Sequence, residues 1–320
     1  MQDFIVVVPE GAFASSVTLT LDLLATAAKL APRAGAAVPR WRVCGLAAGS
    51  VRLSGGLVLQ VNALPATAEK RSCWIVPGLD IDDTGQLDAR LQQQDVAPLA
   101  AAFGHHARAG GTIAASCSAV FLLNAAGLLE GRCVTTTWWL AGALRRAAPR
   151  TRVEPDRMVH MDGAIITAGA ALAHVDMVLH LLRQRFGERL SAMVGQALLV
   201  ERRRLQSPYI SPAMMAPDNE LIAKLTAHIA RTIPAPVSVG SLAVLVNMST
   251  RTLCRQVTQC LGYGPHRLIQ LVRLNKARVL LESNGISVEE VAMRVGLGDA
   301  ASLRRLLRRQ LDATPSQMRG

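Results

Sequence analysis

The last quarter of the chain contains one pattern twice, a short helix followed by a tight turn and a basic helix, with the copies about fifty residues apart. The first basic helix follows a turn at residues 247–249 and carries Arg251, Thr252, Arg255, Gln256 and Gln259. The second follows a turn at residues 296–299 and carries Ser302, Arg304, Arg305, Arg308 and Arg309. Two helices joined by so short a turn form the helix-turn-helix, whose second helix can enter the major groove of DNA. The repeat therefore predicts a helical, DNA-binding region.

Helical geometry separates a polar face from an apolar face on both basic helices. At about 100° per residue, the arginines of the second helix fall on one side and Leu303, Leu306 and Leu307 fall on the other. Arginine and glutamine can pair with guanine and adenine edges, whereas further arginines neutralise phosphates. We therefore expect the first helix mainly to read bases and the second mainly to hold the DNA backbone. A solvated surface is the alternative for one copy alone, and the second copy argues against it.

The boundaries of these helices have their own signals. Ser249 and Asp299 are typical N-caps, residues 287–290 (Ser-Val-Glu-Glu) form a capping-box pattern, and Pro265 suits the first position of a helix. A connecting helix over residues 265–282 would be about 26 Å long. A rod of this length could place both basic helices about 34 Å apart, one turn of DNA.

Charge and composition agree with a polyanionic partner. The net charge is +12, and residues 218–320 hold 14 basic and 7 acidic side chains. Half of the residues are hydrophobic, so each of two domains can bury a core. A nonspecific basic nucleoid or membrane-surface protein would have a similar charge, and only sequence-dependent DNA binding separates that alternative.

The six cysteines show no metal-ligand or disulfide spacing, so we expect no metal, no cofactor and a reducing, cytoplasmic setting. The N-terminus has only a five-residue apolar run before Pro9, which is unlike a signal peptide. No apolar stretch approaches the length of a membrane span, and no membrane partner is expected.

Strand and helix patterns alternate in the first two thirds of the chain. Strands are expected at residues 4–8, 41–46, 57–61, 73–76, 112–115, 158–161 and 164–167, and helices at 17–30, 87–109, 118–126, 137–147 and 171–186. This alternation predicts an α/β domain with a mainly parallel sheet, followed by an all-α domain with two helix-turn-helix motifs. Pro208, Pro212 and Pro217 indicate a linker, so we place the domains at 1–203 and 218–320 with a linker at 204–217.

Cys117 lies where a predicted strand gives way to a helix. A helix N-terminus can lower the pKa of a thiol and hold an anion, so Cys117 is a candidate nucleophile or part of a ligand pocket. A small buried hydrophobic residue is the commoner role of a free cysteine. Both interpretations stay open at this point.

The C-terminal hundred residues resemble the AraC-type DNA-binding domain. The resemblance rests on residues 248–255, the Gly264 and Pro265 pair, residues 273–281, residues 287–296 and residues 314–319. It implies a transcription factor that binds double-stranded promoter DNA and contacts RNA polymerase, more often as an activator than as a repressor.

Most of residues 4–200 resemble the ThiJ/PfpI-like domain of the class I glutamine amidotransferase-like superfamily, as found in GlxA-type AraC-family regulators. Residues 117–131, 135–138 and 166–169 together with Asp176 carry this resemblance. It implies a flavodoxin-like fold, a cysteine elbow at Cys117 and an acidic match at Asp22. Thr137 occupies the position where a histidine is expected, and threonine cannot act as a base near neutral pH. We therefore expect no catalytic residue, and we interpret His174 as structural.

These observations favour a transcriptional regulator that responds to a small metabolite and forms a homodimer. The ligand is expected at the carboxyl ends of the strands, because open α/β sheets bind ligands there. A cysteine-dependent hydrolase or glyoxalase-like enzyme fused to a DNA-binding module is the alternative. The candidate ligand-binding residues are Cys117, Asp22, Pro77, Gly78, Ser118 and Thr137.

Overall fold

The computed structural model describes residues 2–66, 72–200, 203, 205–206, 210, 219–283, 285–311 and 314–318. The chain divides into two compact units, Met1–Arg204 and Leu205–Gly320. The first contains a mainly parallel sheet with flanking helices, and the described elements of the second are helices, which confirms the predicted fold class. Most of the predicted linker, at residues 204, 207–209 and 211–217, lies outside the described residues, so its position stays a prediction.

The central sheet of the first unit has eight strands in the order β3-β4-β2-β1-β5-β6-β10-β9. The five inner pairs are parallel, whereas the outer strands β3 and β9 are antiparallel to their neighbours. The short strands β7 and β8 form a separate parallel pair. In chain order, the strands β1 to β10 are Phe4–Val7, Trp41–Gly45, Gly49–Arg52, Val58–Ala63, Cys73–Val76, Thr112–Ser116, Cys133–Val134, Arg152–Val153, Val159–Asp162 and Ile165–Ala168.

Helices cover both faces of this sheet, so its central strands are apolar on both sides. Phe4 and Val6 point to one core, and Ile5 and Val7 point to the other, because successive side chains of a strand alternate. One core is closed by α1 (Ala14–Ala34), α6 (Ala173–Phe186) and α7 (Glu188–Ala197). The other is closed by α2 (Thr84–Leu91), α3 (Val96–Arg108), α4 (Val120–Ala125) and α5 (Ala141–Ala147).

The single helix expected at residues 87–109 is two helices. Pro98 lies in the first turn of α3, where its missing N–H costs nothing, whereas it would interrupt a continuous helix. Arg90 of α2 donates two hydrogen bonds to the Asp95 carboxylate, at 2.9 and 2.7 Å, and so fixes the break. The antiparallel strand β3 was not predicted either.

The second unit is built around one long helix. Its helices are α8 (Glu220–Thr232), α9 (Val239–Leu245), α10 (Thr250–Leu261), α11 (Pro265–Glu282), α12 (Val288–Arg294) and α13 (Ala300–Leu311). The helix α11 has the predicted bounds, begins with proline and contacts α8, α10 and α12. It therefore connects the two helix-turn-helix motifs, α9-α10 and α12-α13. None of the helices among the described residues combines the length and apolar character that a membrane crossing requires.

Candidate DNA interface and cysteine elbow

The first candidate recognition helix, α10, has a buried face and an exposed face. Leu253, Val257 and Leu261 are fully buried, and burial of a side chain of this size contributes about 1.5–3 kcal/mol. The Ser249 side chain caps the helix by accepting a hydrogen bond from the Thr252 N–H at 3.1 Å, as predicted. The residues predicted to contact DNA lie on the other side of the helix, with Arg251, Arg255 and Gln259 exposed and Thr252 and Gln256 half-buried.

The second candidate recognition helix, α13, buries Leu303 and Leu307 and exposes Arg304, Arg305 and Arg308. The Arg304 guanidinium lies 3.6 Å from the Glu289 carboxylate of α12, and both side chains are more than half exposed. Arg305 donates a hydrogen bond to the Ser302 hydroxyl at 3.1 Å. The side chain of Arg309 lies outside the described residues.

The N-terminus of α13 is fixed by Asp299, as its pattern predicts. Its carboxylate accepts hydrogen bonds from the Ser302 N–H at 2.6 Å and from the Ser302 hydroxyl at 3.0 Å. The backbone hydrogen bond from Ser302 is the main reason that the pKa of Asp299 lies below its usual value. Ser302, a predicted DNA contact, is therefore also part of the cap.

The reciprocal capping box occurs in the other motif. Ser287 accepts a hydrogen bond from the Glu290 N–H at 3.0 Å, but the Glu290 carboxylate binds Arg294, at 2.6 Å, instead of returning to the cap. An arginine one turn further along the helix is a charged partner for that carboxylate, so it competes with the cap. At α9, Ser238 and Ser241 each accept a hydrogen bond from the other's N–H, both at 3.0 Å.

Cys117 occupies a strained elbow directly after β6. Its φ of 55° is in the left-handed region, which costs a non-glycine residue on the order of 1–3 kcal/mol. The Cys117 N–H donates to the Gly169 carbonyl at 2.8 Å, and the Cys117 carbonyl accepts from the Thr136 hydroxyl at 2.7 Å. A β-carbon at Gly78 would lie 2.7 Å from the Cβ of Cys117, so only glycine fits against the elbow.

The Cys117 thiol is fully buried and protonated at neutral pH. Burial raises its pKa to about 11, and hydrogen bonding by the Ser118 N–H and then by the Ser118 hydroxyl, which favours the thiolate, only partly opposes that effect. Ser118 is held by the Leu79 backbone, donating to its carbonyl at 2.8 Å and accepting from its N–H at 2.9 Å. The buried Thr137 hydroxyl has no regular hydrogen bond to any described group. The elbow therefore has the backbone shape of a nucleophile site without a reactive thiolate.

The structure does not bring every predicted ligand residue to this elbow. Cys117, Pro77, Gly78, Ser118 and Thr137 are all buried. Asp22 is exposed on α1, and the acidic group that contributes to the raised pKa of Cys117 is Asp82 instead. A contact between Asp22 and an effector stays a prediction.

His174 is part of a buried hydroxyl network beside the elbow. Thr20 donates to the Ser16 carbonyl at 2.8 Å, so its oxygen accepts from the His174 Nε2–H at 2.6 Å, and the Ser116 hydroxyl donates to Nδ1 at 2.7 Å. Burial lowers the pKa of His174 to about 3. The neutral ring satisfies both hydroxyl partners, which agrees with a structural role.

Three residues that are distant in the sequence form a mixed cluster near the β7-β8 pair. The Cys133 sulfur, a Glu154 oxygen and a His160 nitrogen lie within 4.8 Å of one another, a grouping compatible with a metal ion. Arg152 already occupies this cluster, donating to the Cys133 sulfur at 3.3 Å and to Glu154 at 2.6 Å. A guanidinium in that position repels a cation, so the cluster carries no metal assignment.

Comparison with known proteins divides the chain in the same way. Residues 20–184 match the DJ-1/PfpI family, and residues 242–320 match a helix-turn-helix domain. The transcriptional regulator GbdR of Pseudomonas aeruginosa is 28% identical over 263 residues, which cover 80% of this chain and 68% of GbdR. The transcriptional regulator GlxA of Rhizobium meliloti is 27% identical over 291 residues, which cover 88% and 86%.

One solved structure, of a Vibrio parahaemolyticus protein described as a transcriptional regulator, superposes with a TM-score of 0.51 at 20% identity. The superposition covers 62% of this chain and 100% of that one. At this identity the likeness shows the fold alone.

Proposed function

Because this chain belongs to the AraC-family transcriptional regulators in which a DJ-1/PfpI domain precedes a helix-turn-helix domain, we propose that α10 and α13 are its DNA-reading helices. The observation that carries this assignment is the contrast between the two faces of α10. Leu253, Val257 and Leu261 are buried, whereas Arg251 and Arg255 are exposed. A helix fixed on one side and cationic on the other suits insertion into the major groove.

The two helices divide the work in this proposal. On α10, arginine, threonine and glutamine together can distinguish base edges. On α13, Arg304, Arg305 and Arg308 can each neutralise a phosphate. We therefore assign sequence recognition mainly to α10 and backbone binding mainly to α13.

The first unit acts in this proposal as a sensor and a dimerisation domain rather than as an enzyme. A protonated thiol is a poor nucleophile, and Thr137 supplies no base for Cys117. A small effector bound by this unit would change transcription only if it has different affinities for two arrangements of the protein. Contact with RNA polymerase and activation of transcription complete the proposal.

Selection of binding sites from random duplexes, followed by competition with unrelated DNA at physiological salt, tests the DNA assignment. A preference of about a thousandfold or more for the selected site supports sequence-specific regulation. Equal competition by unrelated DNA would support the nonspecific basic protein instead. Arg255→Ala should weaken binding to the selected site, whereas Arg231→Ala, which changes an exposed arginine of α8, should leave it unchanged.

Turnover assays with dicarbonyl and amide substrates test the enzyme alternative. We expect no turnover and no difference between the wild type and Cys117→Ala. Turnover that the substitution abolishes would overturn the sensor assignment. Sedimentation analysis of the full chain tests the homodimer.

A further inference from the structure

A large cavity of the first unit lies away from the cysteine elbow. It has a volume of about 970 Å³, and residues of α6, α7 and the edge strand β9 line it. Ligand pockets range over about 300–1,000 Å³, so the cavity has room for a small metabolite. None of the predicted elbow residues lines it.

The cavity wall combines apolar and cationic groups. Val159, Met161, Leu179 and Val200 supply apolar surface. The charged residues of the lining are Arg157, Arg183, Arg203, Asp176 and Glu188, so the cations exceed the acids by one. This composition suits a ligand that has both a hydrocarbon part and a negative charge.

Arg183 has the geometry of a carboxylate receptor. Its side chain is 21% exposed, and its Nε lies 2.7 Å from a carboxylate oxygen of Glu188. The Glu188 side chain is 68% exposed, so solvent screens its attraction to Arg183. A ligand carboxylate can therefore replace Glu188 at little cost and form a bidentate pair with a guanidinium that is already positioned.

We propose that this cavity binds a small-molecule effector that bears a carboxylate. Arg183 binds the carboxylate in place of Glu188, and the apolar wall binds the carbon chain. The inference rests on the proposed regulatory function and names the chemical class and the location of the effector.

The cavity lining also includes an ion pair close to the end of the first unit. Asp176, whose side chain is 4% exposed, accepts hydrogen bonds from the Arg203 N–H at 3.0 Å and from the Arg203 guanidinium at 2.7 Å. Arg203 precedes the final residue of this unit and donates a further hydrogen bond to the Leu172 carbonyl at 2.7 Å. An effector in the cavity would therefore lie in the same space as the Asp176–Arg203 pair, near the end of the first unit.

Thermal denaturation of the full-length protein tests the proposal. The probes are the amino acids and short mono- and dicarboxylates from acetate to adipate, each paired as a control with its carboxamide, which lacks the carboxylate charge. We expect at least one acid, and not its amide, to raise the melting temperature by several degrees at saturating concentration. The shift should disappear in Arg183→Met and persist in Arg189→Met, which changes an exposed arginine of α7 outside the cavity lining.

Two results would contradict the proposal. If no acid shifts the melting temperature, the carboxylate class is wrong. If the shift survives Arg183→Met but disappears in Cys117→Ala, the effector binds at the elbow. DNA binding by the same preparations is measured separately. If the wild type binds no specific DNA sequence, the proposed function is wrong, whereas the melting-temperature shifts still report on ligand binding. If Arg183→Met is unfolded by circular dichroism, Arg183→Lys replaces it and should weaken acid binding at least tenfold, because lysine lacks the bidentate geometry.

Discussion

The cysteine elbow and the candidate recognition helices both carry polar or reactive side chains on or beside a helix, but the elbow is buried and the helix faces are exposed. At the elbow, Cys117 is fully buried, and burial raises its pKa to about 11. On α10, Arg251 and Arg255 face solvent while leucine and valine are buried beneath them. Cys117 stays neutral whereas the arginines stay charged, because an ionised side chain needs solvent or a charged partner. Exposure therefore decides whether a side chain of a reactive or charged type can act.

The largest expected effect tests how tightly the elbow is closed. Gly78→Ala should destabilise the first unit by about 3 kcal/mol, at the upper end of overpacking costs, because its β-carbon meets Cys117 at 2.7 Å. All four tryptophans lie in the first unit, so urea denaturation followed by tryptophan fluorescence reports on this unit.

Gly104→Ala is the matched control for that substitution. Its β-carbon would meet only the flexible end of Arg108, at 3.2 Å, and alanine favours the helix by about 0.5–1 kcal/mol. Equal urea midpoints for the two variants would show that the elbow is not tightly packed.

The next prediction concerns the exposed arginines of α10 and α13. Arg255→Ala should cost about 2 kcal/mol in binding to the selected DNA, roughly thirtyfold, and should relax the preference at one base position. Arg308→Ala should instead weaken binding equally across sequences. It should also lower the slope of log affinity against log salt concentration by about one, as expected for the loss of one phosphate contact. Fluorescence anisotropy at several salt concentrations measures both. If Arg255→Ala weakened binding equally for all DNA sequences, Arg255 would contact the DNA backbone and not a base edge.

A pH effect of intermediate size tests the buried network beside the elbow. The pKa of His174 is lowered from 6.5 to about 3 in the folded state, so between these values the unfolded chain binds a proton that the folded one does not. The contribution of His174 to the free energy of unfolding is therefore at its maximum above pH 6.5. It falls by about 1.4 kcal/mol for each pH unit below 6.5, down to the folded-state pKa.

His174→Gln should remove that part of the pH dependence. Urea midpoints at pH 7.5 and pH 5.5 should therefore differ less for the variant than for the wild type. An unchanged pH dependence in the variant would mean that His174 is not the group responsible.

The smallest effect concerns the ion pair on the second recognition helix. Glu289→Gln frees Arg304 and removes a negative charge near the DNA, so we expect binding to tighten by a factor of about two to five, less than 1 kcal/mol. Glu220→Gln in α8 makes the same charge change outside both motifs and should have a smaller effect. Equal effects would show that only net charge matters.

Sequence patterns predicted the local elements well, because each depends on neighbouring residues. The connecting helix begins at Pro265 and ends at Glu282 as expected, and the caps at Ser249 and Asp299 are formed. The pattern at Ser287 was only half right, because Arg294 draws the Glu290 carboxylate away. The break before α3 was not predicted, because the sequence does not show that Pro98 lies in the first turn of a second helix, where a proline is tolerated.

Contacts between distant residues could not be predicted in this way. Asp22 was expected beside Cys117 and is exposed, whereas the hydroxyl partners of His174 come from α1 and β6. The pairing of Asp176 with Arg203 and the cavity next to it depend on how α6 and α7 pack. No pattern of neighbouring residues encodes these contacts between distant parts of the chain.

The sequence by itself determined the alternating α/β domain, the duplicated helix-turn-helix and the polar and apolar faces of α10 and α13, since these follow from the periods of strands and helices. Only the tertiary structure decided that the elbow is closed, that Cys117 keeps its proton, and that Arg183 and Arg203 line a common cavity. The physical reason is that periodicity fixes the direction of a side chain within its element, whereas burial and the partners of a charge are fixed by elements that meet from distant parts of the chain.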